Sequence, residues 1–154
     1  KHLPGSKTPL VAAGWAMAAA VLPAVGSGPP IFWSGLIVSF VFAAGMVFWR
    51  TALSDLLDIQ GDRIVGRETI PILIGVKKTR KLLLALLILL ASLLGLAGAA
   101  GWIPRVGPAL ILSTAIFGVF FFVYKKQHLV DRLAVEALID GNCVLAGLLC
   151  LVYG

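Results

Sequence analysis

Only seven of the 154 residues are acidic, and four of them, Asp55, Asp58, Asp62 and Glu68, fall within fourteen positions. On an α-helix Asp55, Asp58 and Asp62 share one face, within an arc of about 60° and over roughly 10 Å of axis. Three hard oxygen donors spaced in this way suit Mg²⁺, which keeps part of its water and bridges to phosphate oxygens. A run of charges at a helix end is also commonly a solvated face, and the spacing alone leaves both readings open. Gly61 is expected to loosen the helix, so that Asp62 comes from a turn.

Other residues extend or compete with this chemistry. Arg63, Arg67, Lys77 and Lys78 follow the aspartates, and guanidinium and ammonium groups suit the oxygens of a diphosphate. The same four cations serve equally well as topology signals beside a membrane. Glu136 and Asp140 stand four apart and share a helix face. At its depth Asp140 should face a bundle interior or a wet cavity, either as a structural hydrogen-bond partner or as the wall of a substrate pocket. Asn142 points the other way and is expected to bond to a neighbouring helix. His2 and His128 lack companion ligands and read as solvated. Cys143 and Cys150 are too far apart along one helix for a disulfide and read as small packing residues.

The elements that must position these groups are set by the solvent. Sixty per cent of the residues are hydrophobic and 13% charged, against about a quarter charged in an ordinary soluble domain. The apolar residues form blocks of about 20, the length needed to cross a hydrocarbon core of roughly 30 Å. The fold class is therefore all-α, a polytopic transmembrane bundle of five spans over about 9–25, 31–58, 82–100, 106–124 and 133–153, read as one domain over 1–154. Thr8 caps the first helix ahead of Pro9, and that helix ends near Pro23. A tight loop covers 26–30, and a polar connector covers 59–81. Gly95, Gly98 and Gly101 allow close helix approach, and Trp102 is placed for an interfacial ring. Phe117, Phe120, Phe121 and Phe122 serve as packing or lipid-facing groups. No cleavable signal peptide is expected.

The net charge of +6 does not indicate nucleic acid, because the cations lie between apolar blocks. With five spans, twelve of the thirteen Lys and Arg residues fall on one side and only Arg105 on the other. Positive residues mark the cytoplasmic side. This places the N-terminus inside and the aspartates at the inner face of a membrane, expected to be the cell inner membrane.

Read whole, residues 55–75 carry Asp55, Asp58, Asp62, Gly66, Thr69, Pro71 and Gly75, followed by Lys77-Lys78. This resembles the second conserved motif of the UbiA superfamily of intramembrane prenyltransferases, a D-x-x-D-x-x-x-D run followed by a glycine, T-x-P and a closing glycine before a basic stretch. The opening Leu3-Pro4-Gly5-Ser6-Lys7, the small-residue helix with Trp15 and, more weakly, Ile139-Asp140-Gly141-Asn142 also look like that family. The resemblance implies Mg²⁺ held by Asp55, Asp58 and Asp62 gripping a polyprenyl diphosphate, whose prenyl group passes to an electron-rich lipophilic or aromatic acceptor. Arg63, Arg67, Lys77 and Lys78 would contact the diphosphate, with Asp140 at the lower wall of the substrate pocket.

The resemblance places these residues at helices five to nine of nine. The family's first aspartate motif has no counterpart, since residues 1–50 hold no Asp or Glu. The chain alone is thus expected to be inactive, as a fragment or a split half completed by an N-terminal half or by a second copy. CDP-alcohol phosphotransferases also use membrane aspartates, but Gly61 is followed by Asp-Arg-Ile-Val and no Asp recurs before Asp131. The alternative of a different class is a non-catalytic membrane bundle, an assembly subunit or small transporter with an aspartate cation site.

Overall fold

The computed structural model describes residues 5–28, 30–103, 107–126 and 132–153, excepting the side chains of 109, 123–126, 132–136 and 149–153. His2, His128 and Arg105 lie outside the described residues, as do the side chains of Glu136 and Cys150. All described secondary structure is helical: α1 (Lys7–Gly26), α2 (Trp33–Leu57), α3 (Ile59–Val65), α4 (Ile70–Ile74), α5 (Val76–Ala99), α6 (Gly107–Lys126) and α7 (Arg132–Tyr153). Helices α1, α2 and α5 are long and apolar enough to cross a membrane. Within α6 and α7 the described apolar stretches are shorter, Leu110–Phe122 and Ala137–Leu148. The chain is an integral membrane protein, with three of the five expected spans meeting that measure.

Contacts divide the chain into two compact units, Lys1–Leu86 and Leu87–Gly154. In the first, α1 packs along α2, and α2 also touches α3 and α4. The buried residues of α1 are Thr8, Ala12, Ala16 and Ala20, one stripe of small side chains four apart. Such a stripe lets two helix backbones approach closely in an apolar solvent. The opposing helix buries Val38, Gly45, Trp49, Ala52, Leu53 and Leu56.

Helix α1 does not end at Pro23. It passes through that residue to Gly26, with a π turn over Met17–Val21. Proline has no N–H and its ring crowds the carbonyl four residues earlier. One wide turn before it, in which the Leu22 N–H reaches the Met17 carbonyl, relieves that conflict without stopping the helix.

The expected polar connector over 59–81 is mostly helical. It contains α3 and α4, and α5 begins at Val76, six residues before the expected Leu82. The cause is local: Gly75 turns at φ +85°, and its carbonyl accepts both the N–H and the hydroxyl of the buried Thr79, each at 3.0 Å. Lys77, Lys78, Arg80 and Lys81 therefore ride on the first turns of a helix instead of a loop.

In the second unit α6 packs against α7, and Asn142 Nδ2 donates to the Ser113 carbonyl at 3.0 Å. This is the interhelical bond expected of Asn142. Gly101, at φ +74°, ends α5 in a Schellman turn, its N–H bonded to Gly98 O and the Trp102 N–H to Ala97 O. Among the described residues, a Cβ at Gly95, Gly98 or Gly101 would meet nothing within 4 Å, so the close helix approach expected of these glycines is not made there. Phe117 and Phe121 pack inside, whereas Phe122 is exposed.

Candidate functional site

The three aspartates straddle a break between α2 and α3. Asp55 sits in the last turn of α2, half-buried. Asp58 is the break itself: at φ −104°, ψ 20° it occupies the bridge region between α2 and α3. The hydrogen-bond ladder continues on both sides, from the Asp58 N–H to Ser54 O at 3.1 Å and from the Asp62 N–H to Asp58 O at 2.9 Å. The looseness expected at Gly61 lies three residues earlier, and Asp62 belongs to a helix, not a turn. Gly61 has a different use. A Cβ there would stand 2.7 Å from Asp58 Oδ1, so the missing side chain is the space that Asp58 occupies.

Asp62 is buried, 3% exposed, and its position is set by the end of α3. Gly66 adopts a left-handed conformation at φ +71°, which a residue with a side chain resists. Its N–H bonds to Arg63 O and the Arg67 N–H bonds to Asp62 O at 2.9 Å, a Schellman closure. The same turn brings the Arg67 guanidinium to 3.6 Å from Asp62 Oδ1. Asp62 Oδ2 is buried with no hydrogen-bond partner. A buried carboxylate oxygen left without a donor or cation is costly, on the order of 1–3 kcal/mol.

Beyond the turn the chain is tied back to the start of the molecule. The Gly5 N–H donates to Glu68 O at 3.2 Å, and Gly5 lies against Leu73, whose Cδ1 would be 2.9 Å from a Cβ at position 5. Thr69 enters α4 from an extended conformation, and its carbonyl accepts the N–H groups of Ile72 and Leu73 at 3.0 Å. Its hydroxyl oxygen is buried without a partner. Pro71 follows in the first turn, fully buried.

Thr8 was expected to cap α1. It instead lies inside the first turn, after Lys7, and the N-cap position belongs to Ser6, which makes no side-chain cap. The Thr8 hydroxyl donates to Asp55 Oδ2 at 3.4 Å, across 47 residues of sequence. Neither Thr8, Gly5 nor Thr69 stood out as a site residue from its type. The period-four run Thr8-Ala12-Ala16-Ala20 was the signal that would have turned Thr8 toward α2.

The structure thus brings together Thr8, Asp55, Asp58, Asp62 and Arg67. Asp55 lies within electrostatic reach of Asp62, Arg67 and Asp58. Arg63, Lys77 and Lys78 are exposed, on α3 and on the first turn of α5. Glu68 is exposed and contributes its carbonyl, not its carboxylate. Asp140 lies on α7, exposed, in the second compact unit.

In its chemistry the donor set is of the hard oxygen kind that divalent cations take. It offers carboxylate oxygens, one of them buried and unpartnered, beside a guanidinium that is 65% exposed. Among the described residues no group of three or more His, Cys, Asp and Glu side chains is placed to hold a metal ion. An open set of carboxylates is the arrangement Mg²⁺ uses when substrate phosphates and water complete its shell.

Comparison with known proteins bears on the same segment. The model of the UbiA prenyltransferase family matches residues 4–138, a span containing every residue of the aspartate site and Thr8. No curated protein and no solved structure matches the chain.

Proposed function

The chain belongs to the UbiA prenyltransferase family, and on that premise we propose that Asp55, Asp58 and Asp62 bind Mg²⁺ together with a polyprenyl diphosphate. The general chemistry of the family is prenyl transfer. The observation that carries the finer reading is the buried Asp62 carboxylate, with one oxygen lacking any partner. When bound, Mg²⁺ would supply Lewis-acid stabilisation of charge on the departing diphosphate.

The chain's own residues do the rest. Asp55, in the turn before the helix break, and Asp58, at the break itself, add carboxylate oxygens to those of Asp62. Arg67 pairs with the buried Asp62 through a guanidinium that is itself exposed, and solvent screening at that end holds the pair to about 1 kcal/mol. Arg67 is therefore cheap to redirect to a diphosphate oxygen. Arg63, Lys77 and Lys78 approach the same anion from the aqueous side. The apolar helices solvate the isoprenoid tail and keep water from the electron-poor allylic carbon, which is attacked by an electron-rich acceptor.

In this reading α6 and α7 complete five spans, and the positive-inside bias sets the aspartates at the cytoplasmic face of the inner membrane. The seven acidic residues supply no second cluster of this kind. The reading draws that cluster and the acceptor pocket from outside residues 1–154, from an N-terminal half or a second copy.

The test is binding of a non-hydrolysable prenyl thiodiphosphate to the purified membrane protein, with and without Mg²⁺. Binding should require Mg²⁺ and fall about 100-fold or more in Asp55→Ala and Asp62→Ala, the scale for lost charge-assisted contacts to a metal and phosphate. Cation binding indifferent to the thiodiphosphate would reject prenyl transfer and leave a non-catalytic cation site.

A further inference from the structure

We propose that Thr8 is a positioning residue for Asp55, holding its carboxylate in one orientation from the first turn of a neighbouring helix. The inference rests on the aspartate reading above and deepens it. Thr8 is 4% exposed, and its hydroxyl donates to Asp55 Oδ2. A hydroxyl buried this deeply needs a partner, and within a helix a threonine usually finds one in the carbonyl a turn earlier. Thr51 and Thr114 do so, bonding Val47 O and Leu110 O. Thr8 stands on the first turn, where no earlier helical carbonyl is available, so its proton goes across the interface to Asp55.

Two further features make this contact a built one. The alanines at 12, 16 and 20 continue the stripe of Thr8, and they bring α1 close enough to α2 for a two-carbon side chain to span the gap. The chain just before Thr8 is anchored to the far side of the motif, through the Gly5 N–H on Glu68 O. Residues 5–8 therefore touch the aspartate segment at both ends, at Asp55 and at Glu68. One oxygen of Asp55 is engaged by Thr8, which fixes the direction in which the other oxygen points. Partners that orient a metal ligand in this way typically contribute 10- to 100-fold to metal affinity.

The experiment measures Mn²⁺ affinity by electron paramagnetic resonance, in the presence of inorganic pyrophosphate, for the full protein in lipid nanodiscs. Thr8→Val keeps the shape and removes the proton. It should weaken Mn²⁺ binding about tenfold at an unchanged unfolding midpoint, and Thr8→Ser should restore the affinity. If Thr8→Val does not fold, Thr8→Ala takes its place, since it merely extends the alanine stripe. Wild-type binding that is lost in Asp55→Ala but unaltered in Thr8→Val overturns the positioning role while leaving the aspartate reading intact. Equal losses in the Val and Ser variants, tracking a lowered midpoint, would make Thr8 a packing residue and also overturn it. Wild-type protein that binds no Mn²⁺, or binds it independently of Asp55, overturns both readings.

Discussion

The carboxylate of Asp58 lies over the bare α-carbon of Gly61, so closely that a methyl group there would stand 2.7 Å from Oδ1. The two residues share the break between α2 and α3, and the break makes the carboxylate available. In an unbroken helix, Asp58 would lie on the surface of its own rod between Asp55 and Asp62. At φ −104°, ψ 20° its backbone departs from helical geometry, and its side chain rests over the next turn.

This gives a substitution in which stability and function separate. Gly61→Ala raises intrinsic helix propensity by about 1 kcal/mol. Its three nearest neighbours all belong to the end of one flexible side chain, so the unfolding midpoint should stay the same or rise. The Asp58 carboxylate must swing away, and Mg²⁺-dependent binding of a prenyl thiodiphosphate should weaken about tenfold. Calorimetry beside a binding titration checks both halves. Undiminished binding in the Ala variant would show that Asp58 needs no space over position 61.

Asp62 and Arg67 form an ion pair with very unequal burial, 4% and 65% side-chain exposure. Solvent screening at the guanidinium limits the pair to about 1 kcal/mol at most. A double-mutant cycle with Asp62→Ala and Arg67→Gln, read by reversible unfolding in detergent micelles, should return a coupling below that value. Asp62→Ala should also unfold no earlier than the parent, since it removes a buried, half-satisfied carboxylate. Loss of several kcal/mol in Asp62→Ala would mean that the carboxylate is there for the fold and not for a ligand.

Asn142 bonds to the Ser113 carbonyl between α6 and α7. Side-chain hydrogen bonds between membrane helices average about 0.6 kcal/mol and reach about 1.7 kcal/mol. Asn142→Ala should cost the protein an amount in that interval and leave thiodiphosphate binding within about twofold. A drop in affinity comparable to that of an aspartate variant would assign the α6–α7 pair to the ligand site, against this expectation.

Much of the site was readable because its causes are local. Gly66 follows Asp62 by four because a Schellman closure puts its left-handed residue just before the N–H that returns to the carbonyl five back, here the Arg67 N–H on Asp62 O. Thr69 and Pro71 mark the start of α4 for similar reasons, an extended entry residue followed by a ring that tolerates the first turn. Asn142 could be read as a cross-helix donor because an amide on an apolar helix has few other places to find a partner. Local signals misled where two of them competed. Pro23 reads as a helix end, but a single π turn absorbs it. Gly61 reads as a loosened turn, but the break falls on Asp58, where the glycine leaves room for a carboxylate instead of bending the chain.

What the amino-acid order determined by itself was the solvent, the all-helical class, and the segment in which the acidic chemistry sits. Each follows from transfer free energy or from hydrogen bonds closed within a few residues. The tertiary structure decided which oxygens are buried, which of four cations meets an aspartate, and that a threonine 47 residues away donates to Asp55. Those outcomes depend on how closely α1 lies on α2 and where α3 ends in space. Such distances are set by packing between segments: the small-residue stripe of α1 marks a face for close approach but not the partner or the register it meets.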